Sequence, residues 1–454
     1  MKRWAEQNSG WVLVIFFCIV AVARWMQIAK FPAPLSDGWW GIASMIGKVG
    51  ALVGTVLYSI NFVLGMRARW LEPLFGGLNR VYIAHHIVGG IALIALCIHP
   101  VFLSIRYIEP GVTKSYKDAA MALLPERIEG GSYGDVMTSL AQTFGIVGFY
   151  GLVVLLICTF FVKMKYQKWL LTHKLLGPAF FLAALHVIYM WSDVRNDLPL
   201  RLYLVIWMAI GLVAYIHRSL LGNIFVRRYR YTVSRVARPN DTTVVIGLEP
   251  LQKRVTFKAG QFVFIKFLSG PLKGETHPFS LTSEEGQSHK ELELCVKALG
   301  DYTTKLQAAK VGDQLLVEGA FGRFSPVYHE NKKQLWIAGG VGVTPFISMA
   351  RSEKNENGRD IAMIHSVNNE RELVGRHVFG KVETSLNMFF YHPFIAGGDR
   401  GFLNSEYIQK IVPDYTSRLI FICGPPVMMK SLKQQFITAG VPKQHIISEE
   451  FSIN

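Results

Sequence analysis

Four histidines raise the first chemical question. His85 and His99 stand 14 residues apart in the apolar stretch RVYIAHHIVGGIALIALCIHP (80–100), and His173 and His186 stand 13 apart in HKLLGPAFFLAALH (173–186). An ionisable side chain within a bilayer is costly unless it faces a partner or a cavity. Imidazoles facing one another across a helix bundle suit the two axial positions of haem iron, with neutral nitrogen as the donor. Zinc or copper can use the same nitrogens, but no acidic or thiol residue joins either pair.

Such histidines need membrane helices to hold them. The chain has 454 residues, 51% hydrophobic and 18% charged. Six apolar runs, about 11–29, 41–65, 81–105, 140–162, 169–191 and 199–220, are long enough to cross a hydrocarbon core of ~30 Å. Arg67, Arg69 and Arg80, then Lys163, Lys165, Lys168 and Lys174, then Arg218, Arg227, Arg228 and Arg230 flank these runs. Basic flanks mark the cytosolic side. The N-terminus and everything after 220 are therefore expected in the cytosol. The first run also has a signal-peptide look, with Lys2 and Arg3 ahead of AVA at 21–23. Cleavage there leaves the later orientations unchanged.

Runs three and five cross in the same direction, so each carries an inner and an outer histidine. At ~1.5 Å rise per residue the two levels lie roughly 20 Å apart. At ~100° per residue a spacing of 14 returns to within ~40° of one face, whereas 13 lands ~140° away. His85 is thus a better companion for His99 than His86 is. His173 and His186 need a break between them, and Gly177-Pro178 is expected to supply it. Arg24, near the outer end of run one, either snorkels to the interface or meets a haem propionate or the acceptor at the outer level.

The +16 formal charge is explained by its placement around the spans, and no nucleic-acid-binding module accompanies it. The five cysteines show neither a disulfide framework nor zinc-site spacing. The outer loop 106–137 mixes Arg106, Lys114, Lys117 and Arg127 with Glu109, Asp118, Glu126 and Glu129, without an iron-binding motif.

Beyond 230 the composition changes to short β-type runs broken by Gly, Pro and charge. Residues 231–330 read as a small antiparallel barrel. LELCVKALGDYTTKLQ (292–307) passes from a strand through a Gly-containing turn to a helix start, where free N–H groups favour phosphate; Lys297 adds charge there and Thr303 a hydroxyl. KQLWIAGGVGVTPFISMA (333–350) is a buried strand, a glycine-rich turn and a helix. Gly339, Gly340 and Gly342 allow close approach to a pyrophosphate, and Pro345 suits an early helical position. A later strand ends in Cys423-Gly424-Pro425-Pro426, where ligands of open parallel sheets collect.

Taken in order, HPFSLTS, GDYTTKL, GGVGVTPFIS, CGPP, the terminal EEF and the histidine spacings resemble the NADPH oxidase/ferric reductase superfamily. Its soluble half is of the ferredoxin–NADP reductase type. The resemblance implies a membrane all-α six-helix bundle followed by a β-barrel FAD-binding domain and an α/β nucleotide-binding domain. The expected boundaries are 1–220 for the di-haem domain, 221–230 for a basic linker, 231–330 for the FAD domain and 331–454 for the NAD(P) domain.

The expected cofactors are FAD, two haem b, and NADPH or NADH. By resemblance Phe279 and Ser280 lie at the flavin ring, His277 and Pro278 shape that loop, and Lys297, Gly300 and Thr303 are FAD-side residues. The turn Gly339, Gly340, Gly342, Thr344, Pro345 meets the dinucleotide pyrophosphate. Cys423, with Gly424 and Pro425, sits beside the nicotinamide in a positional role, and Phe451 covers the flavin. The family often has an arginine for the 2′-phosphate where Asn368 stands here, leaving Ser366 and Arg371 as substitutes and the coenzyme open.

The expected activity is electron transfer from cytosolic NAD(P)H through FAD, then a haem on His85 and His173, then a haem on His99 and His186. It ends at oxygen or ferric iron on the outer face. Two other readings are a membrane-anchored flavin reductase serving a protein acceptor and a histidine-lined metal transporter with a redox-sensing domain. The expected location is the plasma (inner) membrane. The expected partners are membrane lipid and a small-molecule acceptor, with neither nucleic acid nor an obligatory regulatory protein.

Overall fold

The computed structural model describes residues 2–32, 35, 38–105, 123–124, 133–190, 192–286, 291–397 and 401–449. They form two compact units. One spans 5–226 apart from 76–79, and the other begins at Arg227.

The first unit is helical. Its main elements are α1 (Lys2–Ile28), α2 (Gly38–Gly65), α3 (Leu78–Ile105), α4 (Tyr133–Phe161), α5 (Tyr166–Lys174), α6 (Leu176–Tyr189) and α7 (Leu198–Tyr215). Among the described residues, six stretches are long and apolar enough to cross a membrane: Asn8–Ile28, Gly38–Gly65, Leu78–Ser104, Val136–Phe161, Gln167–Tyr189 and Leu198–Leu220. Lipid offers no hydrophobic drive between helices, so close packing depends on small residues. A Cβ on Gly50 of α2 would stand 2.8 Å from the Ala95 carbonyl of α3, and one on Gly54 would strike Leu96. On α4, Gly148 faces the Ala179 carbonyl and the Ala183 N–H of α6 in the same way.

The fifth span is broken, as Gly177-Pro178 suggests. Helix α5 stops at Lys174, Leu175 tightens its N–H onto the Leu171 and Thr172 carbonyls, and α6 starts afresh. Pro178 has no N–H to give the Lys174 carbonyl four residues back. Tyr215 of α7 replaces it, its hydroxyl donating to Lys174 O at 2.9 Å while its ring lies flat on Gly177. Tyr58 of α2 donates to the Leu176 carbonyl at 2.9 Å. Two tyrosines from neighbouring helices thus hold the break open.

The second unit contains an antiparallel barrel and a parallel α/β sheet. Strands β1 (Tyr229–Asn240), β2 (Thr243–Pro250), β3 (Phe262–Phe267), β4 (His277–Ser280), β5 (Leu292–Lys297) and β6 (Gln314–Phe321) form an antiparallel sheet in the order β4-β3-β6-β1-β2-β5. A bridge between Leu281 and Leu294 brings its two edges together into a barrel. Tyr231, Ile246, Ile265, Leu294 and Val317 fill the interior. Within 221–230, residues 222–225 make a helical turn and β1 starts at Tyr229.

Strands β7 (Lys333–Gly339), β8 (Asp360–Val367), β9 (Phe389–Ile395), β10 (Leu419–Cys423) and β11 (Ile446–Ser448) form a parallel sheet, ordered β11-β10-β7-β8-β9. Their near-continuous apolar runs are those of strands covered on both faces. Helix α8 (Asp301–Leu306) belongs to the barrel. Helices α9 (Thr344–Arg351) and α10 (Pro426–Thr438) pack on opposite faces of the parallel sheet, within separate apolar clusters. From β7 the chain reaches β8 on one side, while β10 joins from the other. Ligands of such sheets collect beyond the strand ends where the order reverses.

Tyr215→Phe is expected to cost about 0.5–1.5 kcal/mol of stability in detergent, the range for one lost hydrogen bond. In a Pro178→Ala background, where the helix regains its donor, that cost should vanish. Equal costs in both backgrounds, read by thermal unfolding, would show that Tyr215 does not compensate the proline.

Candidate functional site

In the membrane unit the histidines meet as two facing pairs. Ring centres of His85 and His173 lie 6.1 Å apart, and those of His99 and His186 lie 6.4 Å apart. A metal held in line by two imidazoles, with bonds of about 2.0–2.1 Å and roughly 1.1 Å from nitrogen to ring centre, puts ring centres about 6.2 Å apart. Three of the rings are turned by their other nitrogen. Nδ1 of His85 donates to the Asn61 carbonyl at 3.0 Å, that of His99 to Gly47 O at 3.0 Å and that of His186 to Ala141 O at 2.8 Å. A carbonyl only accepts, so these bonds fix the tautomer and leave Nε2 as the free lone pair.

Glycines let the rings come this close. A Cβ on Gly145 of α4 would lie 2.5 Å from Nδ1 of His186, and one on Gly47 would press on the His99 carbonyl. His173 is held differently: its ring stacks on Trp169 at 5.0 Å, and its Nδ1 is buried without a hydrogen-bond partner. Trp169 is in turn tied to the Thr159 carbonyl at 3.2 Å. His86 is exposed. Among the described residues no three His, Cys, Asp or Glu side chains gather at one point. Two opposed imidazoles per level fit a haem, whose macrocycle supplies the remaining donors, better than a protein-only metal site.

Arg24 makes an ion pair within the protein. Its guanidinium forks onto Asp197, Nε at 3.1 Å and Nη2 at 2.5 Å, and Nη1 reaches Gln27. Asp197 also caps α7 through Leu200 N–H. The Arg24 hydrogen bond holds the Asp197 carboxyl below its ordinary range. Lys48 and Trp25 bind Asp193 of the same 190–197 segment at 2.8 and 3.1 Å. These charges fasten α1 and α2 to the connection between α6 and α7.

At the barrel, Ser280 is buried at the end of β4, opposite Phe262, and Pro278 sits on this edge strand where its missing N–H is tolerated. His277 stacks on Tyr302 at 3.7 Å and bonds Glu275 through Nε2 at 2.9 Å. Phe279 also stacks on Tyr302 and leans on the barrel core. The Tyr302 hydroxyl is buried with no hydrogen-bond partner, and burial raises its pKa. An orphaned phenol beside two aromatic rings fits a flavin-bearing ligand.

Thr303 differs from expectation. Its hydroxyl accepts from Leu299 and Gly300 N–H at 2.9 Å each and donates to Gly300 O, because a glycine N-cap has no side chain to cap the short α8. Lys297, expected on the flavin side, pairs with Glu372 at 3.2 Å. Both line a small cleft with Thr243, Gly340, Val341 and Val374.

The glycines of the nucleotide turn divide into two kinds. A Cβ on Gly342 would meet Cys423 O at 2.5 Å, one on Gly339 would meet Met428 and Pro425, and one on Gly424 would meet the Gly339 backbone at 2.9 Å. These three allow the turns after β7 and β10 to pack backbone on backbone. Gly340 alone has positive φ, +53°, with open space where a Cβ would point, and it lines the cleft. Thr344 bonds Val341 O, and Pro345 occupies the first turn of α9. Ser366 is buried beside Gly339 in the sheet, while Arg371 is exposed, its carbonyl taken by Asn240. Burial, with the Glu449 carboxylate nearby, pushes the Cys423 thiol well above its usual pKa, so it forms an inert wall. Phe451 lies outside the described residues, as does most of the loop 106–137.

Several contributors carried no sequence signal. Asn61, Gly47 and Ala141 act through carbonyls, which every residue has. Helix α9 is docked on the barrel by Arg351–Glu293 at 2.7 Å and Ser348–Ser283 O at 2.6 Å. Burial opposes ionisation of Glu293, but Arg351 and Arg235 outweigh it and hold the carboxyl below its normal range. His365 of β8 is fully buried and bonds the Gly340 carbonyl at 3.2 Å, and burial lowers its pKa to about 4.

Comparison with known proteins matches three family descriptions in succession. They are a ferric reductase like transmembrane component at 50–184, an FAD-binding domain at 228–339 and an oxidoreductase NAD-binding domain at 336–434. The chain is 31% identical over 209 residues to the glycine betaine monooxygenase reductase subunit of Chromohalobacter salexigens, covering 43% of this chain and 56% of the relative. It is 25% identical over 232 residues to the toluate 1,2-dioxygenase electron transfer component of Pseudomonas putida, covering 49% and 68%. A solved ferredoxin NADP+ reductase from Neisseria gonorrhoeae, with bound FAD and NADP, aligns at 21% identity and TM-score 0.42, covering 49% and 98%. The chain thus spans little more than half of the first of these relatives.

Two outcomes follow from the cleft and the docked helix. Glu372→Gln frees Lys297 for incoming phosphate, so KM for NAD(P)H in dye reduction should fall about threefold at low salt, the scale of a partly buried ion pair. An unchanged KM would mean that the pair does not guard the cleft. The lowered Glu293 pKa contributes stability above the unfolded carboxyl value, and that stability is lost as pH falls through the folded value. Glu293→Gln should flatten the acid limb of an unfolding-versus-pH curve, and an unaltered limb would remove Glu293 from it.

Proposed function

From a chain of ferric reductase/NADPH oxidase-type architecture, an integral-membrane oxidoreductase that carries electrons from NAD(P)H by way of FAD, we propose a two-haem path to an acceptor on the outer face. In this reading His85 and His173 would hold an inner haem and His99 and His186 an outer one, and these groups with FAD would supply one-electron carriage towards oxygen or a ferric chelate. The observation that carries this reading is the pair of facing imidazoles at each of two levels, with Nδ1 of three rings turned to backbone carbonyls.

The bound groups supply the redox chemistry: FAD takes a hydride and parts with single electrons, and haem iron carries one electron at a time. The chain's residues do the positioning. A carbonyl on Nδ1–H strengthens an imidazole as a donor and stops it rotating. The stack of His277 on Tyr302 gives the flavin side a rigid wall, and the open Gly340 gives dinucleotide phosphates a cleft in which Glu372 neutralises Lys297 until phosphate displaces it. Cys423 faces the nicotinamide as a neutral, unreactive thiol. In this reading the reductase domains lie in the cytosol, as the basic flanks favour, and the membrane is the plasma (inner) membrane. The small-molecule acceptor binds on the opposite side, and no regulatory protein or nucleic acid is required.

A second reading has one observation in its favour: relatives matching the soluble half are named as a reductase subunit and an electron transfer component. In it a membrane-anchored flavin reductase serves a protein acceptor and the histidines are structural.

A dithionite-reduced spectrum of the purified protein separates the two. Two b-type haems per chain are expected, falling to one in His99→Leu or His186→Leu with NAD(P)H:dye reduction kept within about twofold. Absence of haem in the purified protein would sink the proposal and favour the second reading. Superoxide and ferrous product, measured side by side with FAD and NAD(P)H alone, identify the acceptor. Silence until another protein is added would overturn the absence of a regulator.

A further inference from the structure

The dinucleotide turn has no side chain of its own at Gly340, a residue that lines the cleft. Strand β7 ends at Gly339, a short 3-10 turn runs from Gly340 to Val343, and α9 follows. The opening N–H groups of such a turn have no partners within it, which makes them donors for an anion. Whether they face the cleft depends on the peptide after Gly340. That residue holds φ +53°, and no side chain stands where its Cβ would be. Glycine adopts this conformation readily but is not confined to it.

The confinement comes from the neighbouring strand. In the parallel register His365 lies beside Ala338, and Ser366 beside Gly339. The His365 ring is fully buried, with Nε2 3.2 Å from the Gly340 carbonyl. A carbonyl accepts, so Nε2 carries the proton. Nδ1 is then a lone pair, buried and without a hydrogen-bond partner. Burying a polar nitrogen unsatisfied is costly, and a leucine would fill the same space without that cost. The bond to Gly340 is the one hydrogen bond the ring makes among the described residues, and the Glu372 carboxylate acts on it only through space.

We propose that His365 is a positioning residue: its Nε2–H pins the Gly340 carbonyl to the sheet and so aims the following N–H groups at the pyrophosphate of the nicotinamide dinucleotide. The inference rests on the reading of this turn as the pyrophosphate cradle. His365 itself touches neither coenzyme nor flavin. Its removal therefore affects capture of the dinucleotide and leaves the later electron steps alone. A neutral donor is all the role needs, and the burial that keeps the ring uncharged is compatible with it.

The test uses the full-length, FAD-loaded protein and NAD(P)H:ferricyanide reduction. His365→Met, which lacks a donor, is expected to raise KM for NADH and NADPH about tenfold, with kcat and FAD content within about twofold of wild type. His365→Gln, whose amide spans the gap, should restore KM to within about threefold of wild type. Wild-type KM in the Met variant, or a Gln variant as impaired as Met, would overturn the proposal. If Met fails to retain FAD, His365→Asn decides, because it is polar but too short to reach. KM for Asn near the Gln value overturns the proposal, and KM well above it supports the proposal. Reduced nicotinamide mononucleotide, which has no pyrophosphate, separates this from the underlying reading. The Met penalty should shrink with the mononucleotide. Equal wild-type KM for mononucleotide and dinucleotide would defeat the cradle itself.

Discussion

An imidazole at membrane depth has two nitrogens and no water to satisfy them. The membrane half of this protein is arranged around that constraint. One nitrogen must find an acceptor, and helix carbonyls are already engaged with N–H groups four residues on. A second donor reaches them only where another helix comes very near. That is why glycines line the approaches: Gly47 of α2 presents its carbonyl to His99, and Gly145 of α4 leaves room for His186 to reach Ala141. Once Nδ1 is spent in this way, Nε2 of each ring is left to face its counterpart.

His173 shows what happens where the constraint is met differently. It lies one residue before the end of α5, at the break that Pro178 forces. No carbonyl takes its Nδ1; the flat stack on Trp169 holds the ring instead. The break also reorients α6 relative to α5, so that histidines whose spacing would place them on opposite faces of a straight helix can both turn towards α3. The tyrosines that satisfy Lys174 and Leu176 come from α2 and α7, so the geometry around His173 depends on packing across four helices.

Much of this was legible in the chain and some was not, for identifiable reasons. The six spans and the break at Gly177-Pro178 follow from apolar run length and a missing N–H, both local properties. The succession of barrel and parallel sheet follows from strand periodicity and glycine-rich turns. The acceptors Asn61, Gly47 and Ala141 were illegible because a backbone carbonyl leaves no mark in a side-chain pattern. The ion pair of Arg24 was illegible because its partner, Asp197, is distant in sequence and also caps α7. The hydrogen bonds of Thr303 were illegible because they stand in for a cap that Gly300 cannot make. The packing of Gly339 and Gly342 was illegible because it is set by the distant Cys423-Gly424 backbone.

That last case shows how close packing and ligand binding share one motif. A turn at the reversal point of a parallel sheet has to pass over the end of the adjacent strand, and two backbones meet there before any ligand arrives. Glycine is required by that meeting whether or not a phosphate comes near. The residue free of it, Gly340, is the one facing the cleft, with the Lys297–Glu372 pair on the far wall. A glycine-rich sequence therefore locates the crossing of strands, and only the direction in which each missing Cβ would point separates the glycine that serves a ligand from those that serve the fold.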